Sequence, residues 1–256
     1  MQPTRPRTEE SAYEHFVKRA PGYDTSSSWV GDEHLLRRLV ELVAPEPDHT
    51  LLDLATGTGL VAARFFGTVR RVVGLDLCSP MTEGRPRFAD ELVLCEAEAL
   101  PFDDLSFDRC TCRQGLQFMD LDKALPELYR VLRPGGVAVL CHLTAHGPED
   151  RELAFEIQRL RNPARRNFFL PGELPQRLAA VGFGTIESQL YRSRESVSRW
   201  IENGALPPER REAIRSCYHR ADPAFLRLHE VTFEHGDIHE TMLLELVRAT
   251  RPTACP

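Results

Sequence analysis

The sequence predicts a doubly wound α/β fold, in which a mostly parallel sheet is covered by helices on both faces. From Leu51 onward, short apolar segments alternate with segments of helix length. The apolar segments contain few polar residues, as strands do when both faces of a parallel sheet are buried. The composition agrees with this class, because 42% hydrophobic and 27% charged residues are typical of a globular chain.

Five strands are expected in the first part of the sheet. They lie at the apolar segments 51–55, 72–75, 92–95, 108–112 and 137–143. The segments between them have the length and spacing of crossover helices at 60–66, 80–88 and 121–132. A parallel sheet needs such crossovers, because a tight turn cannot join two parallel strands.

The flanking regions are predicted to be mainly helical. Apolar residues at helical spacing place helices before the first strand, at 11–19 and 31–43. After the fifth strand, the same spacing places helices at 149–160, 172–181, 195–204 and 208–220. Alternation predicts a strand at 185–191. The tail has two β-rich runs joined by Gly236-Asp237, which indicates a hairpin or a bent strand.

Charge and cysteine content narrow the function classes. Lys and Arg number 32 against 38 Asp and Glu, a net charge of −6, and no basic tract interrupts that balance. A large nucleic-acid surface is therefore not expected. No apolar run approaches the roughly 20 residues of a bilayer span. The seven scattered cysteines indicate reduced thiols and a cytoplasmic protein.

The strongest local motif is a strand that enters a glycine-containing turn, at residues 53–62 (DLATGTGLVA). Gly57 and Gly59 allow backbone conformations and close ligand approach that other residues do not. A helix is expected to start directly after the turn and to offer free N–H groups to an anionic ligand group. The same spacing also fits a nicotinamide dinucleotide fingerprint, or a tight turn with no ligand.

An acidic residue at the end of the next strand strengthens the ligand interpretation. Asp76 follows Gly59 by 17 residues and ends the apolar segment 72–75. In a parallel sheet, its carboxylate lies at the carboxyl edge beside the glycine turn, where it can accept both hydroxyls of a ribose. The alternative is a helix cap before Ser79.

Four segments in the same order resemble the class I S-adenosylmethionine (SAM) dependent methyltransferases, and in particular the small-molecule branch that includes the ubiquinone/menaquinone biosynthesis methyltransferases. The segments are LLDLATGTGLVA, VVGLDLCSPM, CEAEALPFDDLSFD and CTCRQGLQFMDLDKALPELYRVLRPGG. The resemblance implies a Rossmann-like, seven-stranded, mostly parallel sheet with an antiparallel last strand and a helical cap. It also implies one domain over 1–256, with lid helices in 1–45, a SAM-binding core in 46–143, and a substrate-side half in 144–256 that contains a helical insert near 195–227.

The resemblance assigns SAM contacts to individual residues. Asp53 and the turn residues would hold the methionine portion, Asp76 the ribose, and Leu77, Met81, Glu96 and Ala97 the adenine, with further contacts after the fourth strand. The complete implied set is Asp53, Ala55, Thr56, Gly57, Thr58, Gly59, Asp76, Leu77, Met81, Glu96, Ala97, Arg113 and Gln114. Glu96 departs from the family, which usually has Asp there.

Catalytic candidates are fewer, because Gln117-Phe118 replaces the family's usual His pair. His142, after the fifth strand, is a candidate general base, with a structural histidine as the alternative. Tyr23, beside Asp24, is the second candidate and belongs to the predicted lid. Lower-ranked polar candidates are Tyr13, His146, Asn167 and Tyr191.

Other clusters have both a functional and a structural interpretation. The histidines and Glu240 of the tail are a weak metal candidate, and Cys110 and Cys112 are expected to be core residues. The arginines near Pro163 form either a solvated face or an entrance for an anionic substrate; they are Arg161, Arg165 and Arg166. Five aromatic residues either line an acceptor pocket or fill the core: Phe168, Phe169, Trp200, Tyr218 and Phe225.

The sequence therefore predicts methyl transfer from SAM to oxygen, carbon or nitrogen of a small, aromatic or polyketide-like acceptor. No metal is assigned. The alternatives are a SAM-fold protein that binds the cofactor without transferring the methyl group, and an NAD(P)-dependent oxidoreductase. The oligomeric state is not predicted.

Overall fold

The computed structural model describes residues 11–84 and 86–253, so the first ten residues of the predicted lid segment lie outside it. Two helices precede the sheet as predicted, α1 (Ala12–Arg19) and α2 (Glu33–Val43), with a 3-10 turn (Ala20–Thr25) between them. Ser11 begins α1 through a capping box with Glu14, and the Asp32 carboxylate accepts two N–H groups at the start of α2.

The sheet has the predicted class and mostly parallel direction. Its strands are β1 (Thr50–Leu54), β2 (Arg71–Asp76), β3 (Glu91–Leu94), β4 (Phe107–Arg113), β5 (Leu132–Thr144), β6 (Gly184–Ser196), β7 (Thr232–Glu234) and β8 (Asp237–Thr250). Seven of them follow the order β3-β2-β1-β4-β5-β8-β6, and the short β7 forms a hairpin with β8. The first five strands are parallel, and β8 is antiparallel to both neighbours.

Two of the three predicted crossover helices are wrong. Helix α3 (Leu121–Val131) forms as expected, but the described residues of 60–66 and 80–88 have no helix longer than the 3-10 turns Ala62–Arg64 and Ser79–Met81. Gly67 and Gly84 adopt left-handed φ angles of 80° and 69°, which end a right-handed helix. In the second segment, Pro86 also prevents continuation.

Helices dominate the chain after β5. They are α4 (Arg151–Arg161), α5 (Glu173–Val181), α6 (Val197–Ile201), α7 (Pro208–Arg220) and α8 (Pro223–Leu228). The predicted helix at 195–204 is shortened to α6 because Glu195 and Ser196 still pair with β8, and the Ser196 hydroxyl then accepts an N–H at the helix start. Within the described ranges, no helix has the length and apolar character needed to cross a membrane.

Alternate residues of the strands build a core on each face of the sheet. Val137 and Val139 of β5 belong to the core under α2, α4 and α7, whereas Ala138 and Leu140 belong to the core under α3 and α5. Chain order reverses between β1 and β4, since β2 pairs on one side of β1 and β4 on the other. In open α/β sheets, such a reversal leaves a crevice at the carboxyl ends of the strands.

Candidate functional site

A cavity of about 400 Å³ lies at the carboxyl ends of β1, β2 and β4. Its volume lies within the range of small-molecule sites, about 300–1,000 Å³. Most of the predicted cofactor-binding residues line it: Ala55, Gly57, Asp76, Leu77, Met81, Glu96, Ala97, Arg113 and Gln114. The convergence of the two sequence motifs follows from the pairing of β1 with β2, which places their last residues side by side.

The glycine turn is built from residues with different tasks. Ala55 and Gly57 have φ angles of 56° and 57° and border the cavity. Gly59, with a φ of 81°, does not; an added Cβ there would lie 2.3 Å from the Phe88 ring. Gly59 therefore allows close packing against Phe88, and the close ligand approach expected at this glycine stays a prediction.

Asp76 connects the two motifs directly. Its carboxylate accepts the Gly57 N–H at 2.7 Å and the Cys78 N–H at 2.9 Å. Burial raises the pKa of the Asp76 carboxyl above its ordinary value, and these N–H groups oppose that rise. A hydrogen-bond acceptor is thus fixed beside the glycine turn and faces the cavity.

Asp53 supports the turn from behind, since it does not border the cavity. Its carboxylate accepts the Thr56 hydroxyl at 2.7 Å and the Thr111 hydroxyl at 2.6 Å. Burial raises the pKa of Asp53 to about 6, although both hydroxyls oppose the shift. Asp53 and Thr56 therefore hold the turn in this structure, and their expected contacts with the methionine portion stay a prediction.

A second strained turn follows β4. Gln114 has a φ of 61°, and its N–H donates to the Cys141 carbonyl at 2.8 Å. Gly115, which the sequence analysis did not select, also lines the cavity; an added Cβ would lie 2.6 Å from the Ala55 Cβ. The turns after β1 and β4 therefore touch, and a glycine directly after a strand was the available signal for Gly115.

The N-terminal segment 12–30, called the covering segment below, covers one side of the cavity. Ala12, Tyr13 and Phe16 of α1, together with Tyr23, line it. The Phe16 ring packs edge-on against Phe118, with centroids 5.2 Å apart. This aromatic pair was also missed, because its members are about a hundred positions apart in the sequence.

Hydrogen bonds hold the covering segment to the sheet. The Thr58 hydroxyl donates to the Asp24 carboxylate at 2.6 Å. Thr58 lies outside the cavity lining and anchors the segment, and its expected contact with the cofactor stays a prediction. The Arg113 guanidinium borders the cavity and donates to the Val30 carbonyl at 2.9 Å, so it connects the end of β4 to the same segment.

His142, the candidate base, does not line this cavity. Its ring is fully buried, packs against Phe169 with centroids 4.6 Å apart, and lies 3.5 Å from the Glu245 carboxylate. Burial lowers the pKa of His142, while Glu245 opposes the shift. Among the lower-ranked candidates, only Tyr13 lines the cavity; His146, Asn167 and Tyr191 do not.

The remaining clusters are mostly structural. The five aromatic residues proposed for an acceptor wall are all buried away from the cavity. His229 forms ion pairs with Asp150 and Glu240 on opposite ring nitrogens, which does not make a converging metal site.

Cys110 and Cys112 are buried core residues, as expected. Arg166 is exposed, but Arg161 and Arg165 are buried, so a solvated face is wrong for these two.

Comparison with known proteins identifies the family. A model of the methyltransferase domain matches residues 52–140. A malonyl-[acyl-carrier protein] O-methyltransferase of Yersinia pestis is 33% identical over 182 residues, which are 70% of this chain and 67% of that protein. The chain belongs to the SAM-dependent methyltransferase family. Its cofactor is SAM, and the NAD(P)-dependent alternative is set aside.

Other relatives agree with this assignment. The methyltransferase is 28% identical to the uncharacterized methyltransferase YcgJ of Bacillus subtilis, over 82% of this chain and 86% of YcgJ. A demethylmenaquinone methyltransferase of Clavibacter sepedonicus is 38% identical over 50% of this chain and 56% of that enzyme. The crystal structure of YcgJ has the same fold, with a TM-score of 0.79 and 24% identity over 86% of this chain and 99% of that one.

The cavity fits SAM by its chemistry as well as by its size. It combines an acceptor for hydroxyls (Asp76), apolar side chains for a flat ring (Leu77 and Met81), and the positive Arg113. The exposed Glu96 lies at its rim, and the buried Ala97 lies beside it. Adenosyl and amino-acid groups require such a mixture of polar and apolar contacts.

Proposed function

We propose that this methyltransferase transfers the methyl group of SAM to oxygen, carbon or nitrogen of a small-molecule acceptor. The observation that carries the proposal is the 2.7 Å hydrogen bond from the Gly57 N–H to the Asp76 carboxylate, since both residues line the same cavity. The names of two relatives refer to demethylmenaquinone and to malonyl-[acyl-carrier protein]. Acceptors therefore differ among the relatives, and the acceptor class has to come from this chain's own residues.

In this proposal, Asp76 accepts the ribose hydroxyls, and Leu77, Met81, Glu96 and Ala97 surround the adenine. The backbone of Ala55 and Gly57 approaches the methionine portion from one side. Arg113 and Gln114 approach it from the other side, at the end of β4. All of these residues line the cavity, which supports their assignment.

Methyl transfer requires alignment more than acid–base machinery. Bound SAM supplies a methyl group that is already activated by its positive sulfur, and the acceptor exchanges a proton for that methyl group. The protein must hold the acceptor atom in line with the methyl–sulfur bond, and such positioning contributes up to about 7–11 kcal/mol. Phe16, Tyr23 and Phe118 cover the cavity and exclude water from the reacting atoms.

Tyr23 is the remaining candidate for taking the acceptor proton. Its side chain lines the cavity, and its ring lies 4.8 Å from the Arg19 guanidinium. Within the described residues, no histidine lines the cavity, so a histidine base is not part of the proposal. The aromatic side chains at this wall favour an aromatic or polyketide-like acceptor.

The proposed location and partners follow from composition. The six cysteines of the described ranges are free thiols, which fits the reducing cytoplasm. A net charge of −6 argues against nucleic acid as a partner.

The second candidate function, SAM binding without methyl transfer, is tested by incubation with methyl-labelled SAM and a panel of acceptors.

Asp76→Ala tests the site assignment. We expect SAM binding to weaken at least about tenfold, or about 1.4 kcal/mol, because the ribose acceptor and the Gly57 hydrogen bond are both lost. Isothermal titration calorimetry measures the affinity, and circular dichroism checks folding. Asp108→Ala is the matched control: its carboxylate also accepts a backbone N–H, from Thr50 at 2.8 Å, but lies near the start of β4.

A second variant makes this test independent of one side chain. Gly57→Val adds a side chain at a φ of 57°, with its Cβ about 3.5 Å from Met81, and is expected to weaken SAM binding similarly. Unchanged SAM affinity in both variants would refute the assignment.

A further inference from the structure

Three buried arginines lie behind the covering segment, beside the SAM cavity. Arg19 ends α1, Arg161 ends α4, and Arg165 lies in the following loop; their exposed fractions are 3%, 5% and 6%. Arg19 donates to the Ser26 hydroxyl, and Arg161 donates to the Trp200 carbonyl, each at 3.1 Å. These acceptors are neutral, so neither bond compensates the charge.

Several guanidinium nitrogens of this cluster are buried without any partner in the described part of the chain. They are Arg19 Nε, Arg161 Nη2, Arg165 Nε and Arg165 Nη1. No carboxylate of the described residues forms an ion pair with any of the three arginines. Glu195 is the acidic group that influences Arg161, but its oxygens accept the N–H groups of Ser28 and Trp29. The cluster therefore holds buried positive charge with open donors.

Aromatic rings compensate only part of this charge. The guanidinium carbon of Arg161 lies 4.5 Å from the Trp200 ring centre, and that of Arg165 lies 5.8 Å from Phe118. Such contacts are weak relative to an ion pair in a buried site. Burial, together with the neighbouring Arg19, lowers the pKa of Arg165 to about 9. Folding alone does not require this arrangement, and unpaired buried charge is commonly retained where a ligand completes it.

The position of the cluster relates it to the reaction. The arginines border a small pocket of about 20 Å³ that shares four lining residues with the SAM cavity: Phe16, Tyr23, Gln114 and Phe118. A space of this size holds about one water molecule, so it admits one oxygen of an anionic group whose remaining atoms lie in the adjoining SAM cavity. The glycine turn borders only the larger cavity. Phe118 and Gln114 therefore lie between the small pocket and the glycine turn, which is proposed to hold the methionine portion.

We propose that Arg19, Arg161 and Arg165 form an anion pocket that binds the carboxylate or phosphate of the methyl acceptor. This inference rests on the proposed function and names its substrate class: a small acid whose nucleophilic atom projects past Tyr23 and Phe118 into the SAM cavity. The donors without partners can bind an oxygen of such a group, since guanidinium nitrogens donate hydrogen bonds to carboxylate and phosphate oxygens. The carboxylate of SAM itself has the same chemistry, and the test distinguishes the two.

The test measures the thermal unfolding midpoint with S-adenosylhomocysteine present, while benzoate, phenyl phosphate or the neutral benzamide is added. We expect the two anions to raise the midpoint of the unaltered protein and benzamide to leave it unchanged. Arg165→Met is expected to lose the anion-dependent shift. Without any anion, the same variant is expected to unfold about 2–4 °C above the unaltered protein, because a buried unpaired charge is removed. Arg199→Met, at an exposed arginine beside Trp200, is the matched control and should retain the anion shift.

Calorimetric titration with SAM separates the outcomes. SAM affinity within about twofold in Arg165→Met, together with a lost anion shift, supports an acceptor pocket. No anion-dependent stabilisation of the unaltered protein overturns the proposal, whatever the variants do. A loss of SAM affinity of tenfold or more in Arg165→Met also overturns it, because the pocket would then hold the cofactor carboxylate. Failure of the unaltered protein to bind SAM would instead contradict the proposed function.

Discussion

Ala55 and Gln114 show how single residues shape the site. Both have left-handed backbone conformations although neither is glycine, with φ angles of 56° and 61°, and both line the cavity. A non-glycine residue in such a conformation lowers the stability of the fold by about 1–2 kcal/mol, and such strain is common at functional sites. Two of the seven non-glycine residues with positive φ angles among the described residues therefore lie at the turns after β1 and β4, beside the cavity.

Replacing Ala55 by glycine relieves this strain. Ala55→Gly is expected to raise the free energy of unfolding by about 1 kcal/mol, because glycine adopts this φ without a steric penalty. Urea denaturation measures the change. Ala44→Gly is the control: Ala44 has a φ of 47° at the end of α2 and does not line the cavity, so it should stabilise the fold similarly. Only Ala55→Gly should weaken SAM binding, through the greater freedom of the unbound turn. A decrease in stability for both variants would exclude strain at these positions.

At the residue scale, local sequence patterns predicted the site residues that lie at the ends of strands. They did not predict contacts between side chains that are far apart in the sequence. Asp76 was predictable because it follows an apolar segment and parallel strands end at one edge. Phe16 and Phe118 were not, because nothing local to either residue indicates that their rings are 5.2 Å apart. The burial of Arg161 and Arg165 was missed for the same reason.

At the scale of elements, covering the cavity depends on contacts between the N-terminal segment and the turns after β1 and β4. The sequence predicted α1 and α2 well, since each has a capping residue and regular apolar spacing. It failed for the segments at 60–66 and 80–88, where glycines with positive φ angles shorten the helices to 3-10 turns. Helix spacing over one or two turns is too short a signal to exclude such an end.

Thr58→Val tests the attachment of the covering segment. It removes the 2.6 Å hydrogen bond to Asp24 and keeps the side-chain volume nearly unchanged. One lost hydrogen bond of about 1 kcal/mol should raise the dissociation rate of S-adenosylhomocysteine about fivefold, which stopped-flow fluorescence measures. Thr68→Val removes a hydroxyl bond to the Phe65 carbonyl away from the cavity and should leave that rate unchanged. Equal rates in all three proteins would show that Asp24 does not hold the segment.

The buried ionic network of Asp150, His229 and Glu240 predicts that the stability of the fold depends on pH. Burial disfavours the charged ring of His229, but hydrogen bonds to Asp150 at 2.8 Å and Glu240 at 3.1 Å outweigh it and raise the pKa of His229 to about 9. The folded pKa exceeds the unfolded value of about 6.5. The stabilisation is therefore complete below about pH 6.5 and is lost as the pH rises through about 9.

The expected loss from this network is about 2–3 kcal/mol of unfolding free energy between about pH 6 and 9.5. Urea denaturation across this range measures it. His229→Gln should reduce that part of the pH dependence, whereas His235→Gln, at an exposed position, should retain it. The same slope in His229→Gln as in the unaltered protein would contradict the role of the network.

At the scale of the whole molecule, the sheet order explains why the cavity lies at the carboxyl ends of β1, β2 and β4. The reversal between β1 and β4 opens the crevice, the glycine turn and Asp76 line the cofactor side, and the N-terminal segment with Phe118 lines the other. The sheet and its antiparallel last strand were predictable from the motif order. The proposed acceptor side was not, because it combines α1, the loop after α4 and the turn after β4, which no local sequence pattern connects.

A crystal structure of the protein with bound S-adenosylhomocysteine tests the central claim most directly. We expect the ribose hydroxyls on the Asp76 carboxylate, the adenine between Leu77, Met81 and Ala97, and the sulfur facing Tyr23 and Phe118. Density for the nucleoside outside this cavity, or an Asp76 carboxylate that makes no contact with the ribose, would contradict it.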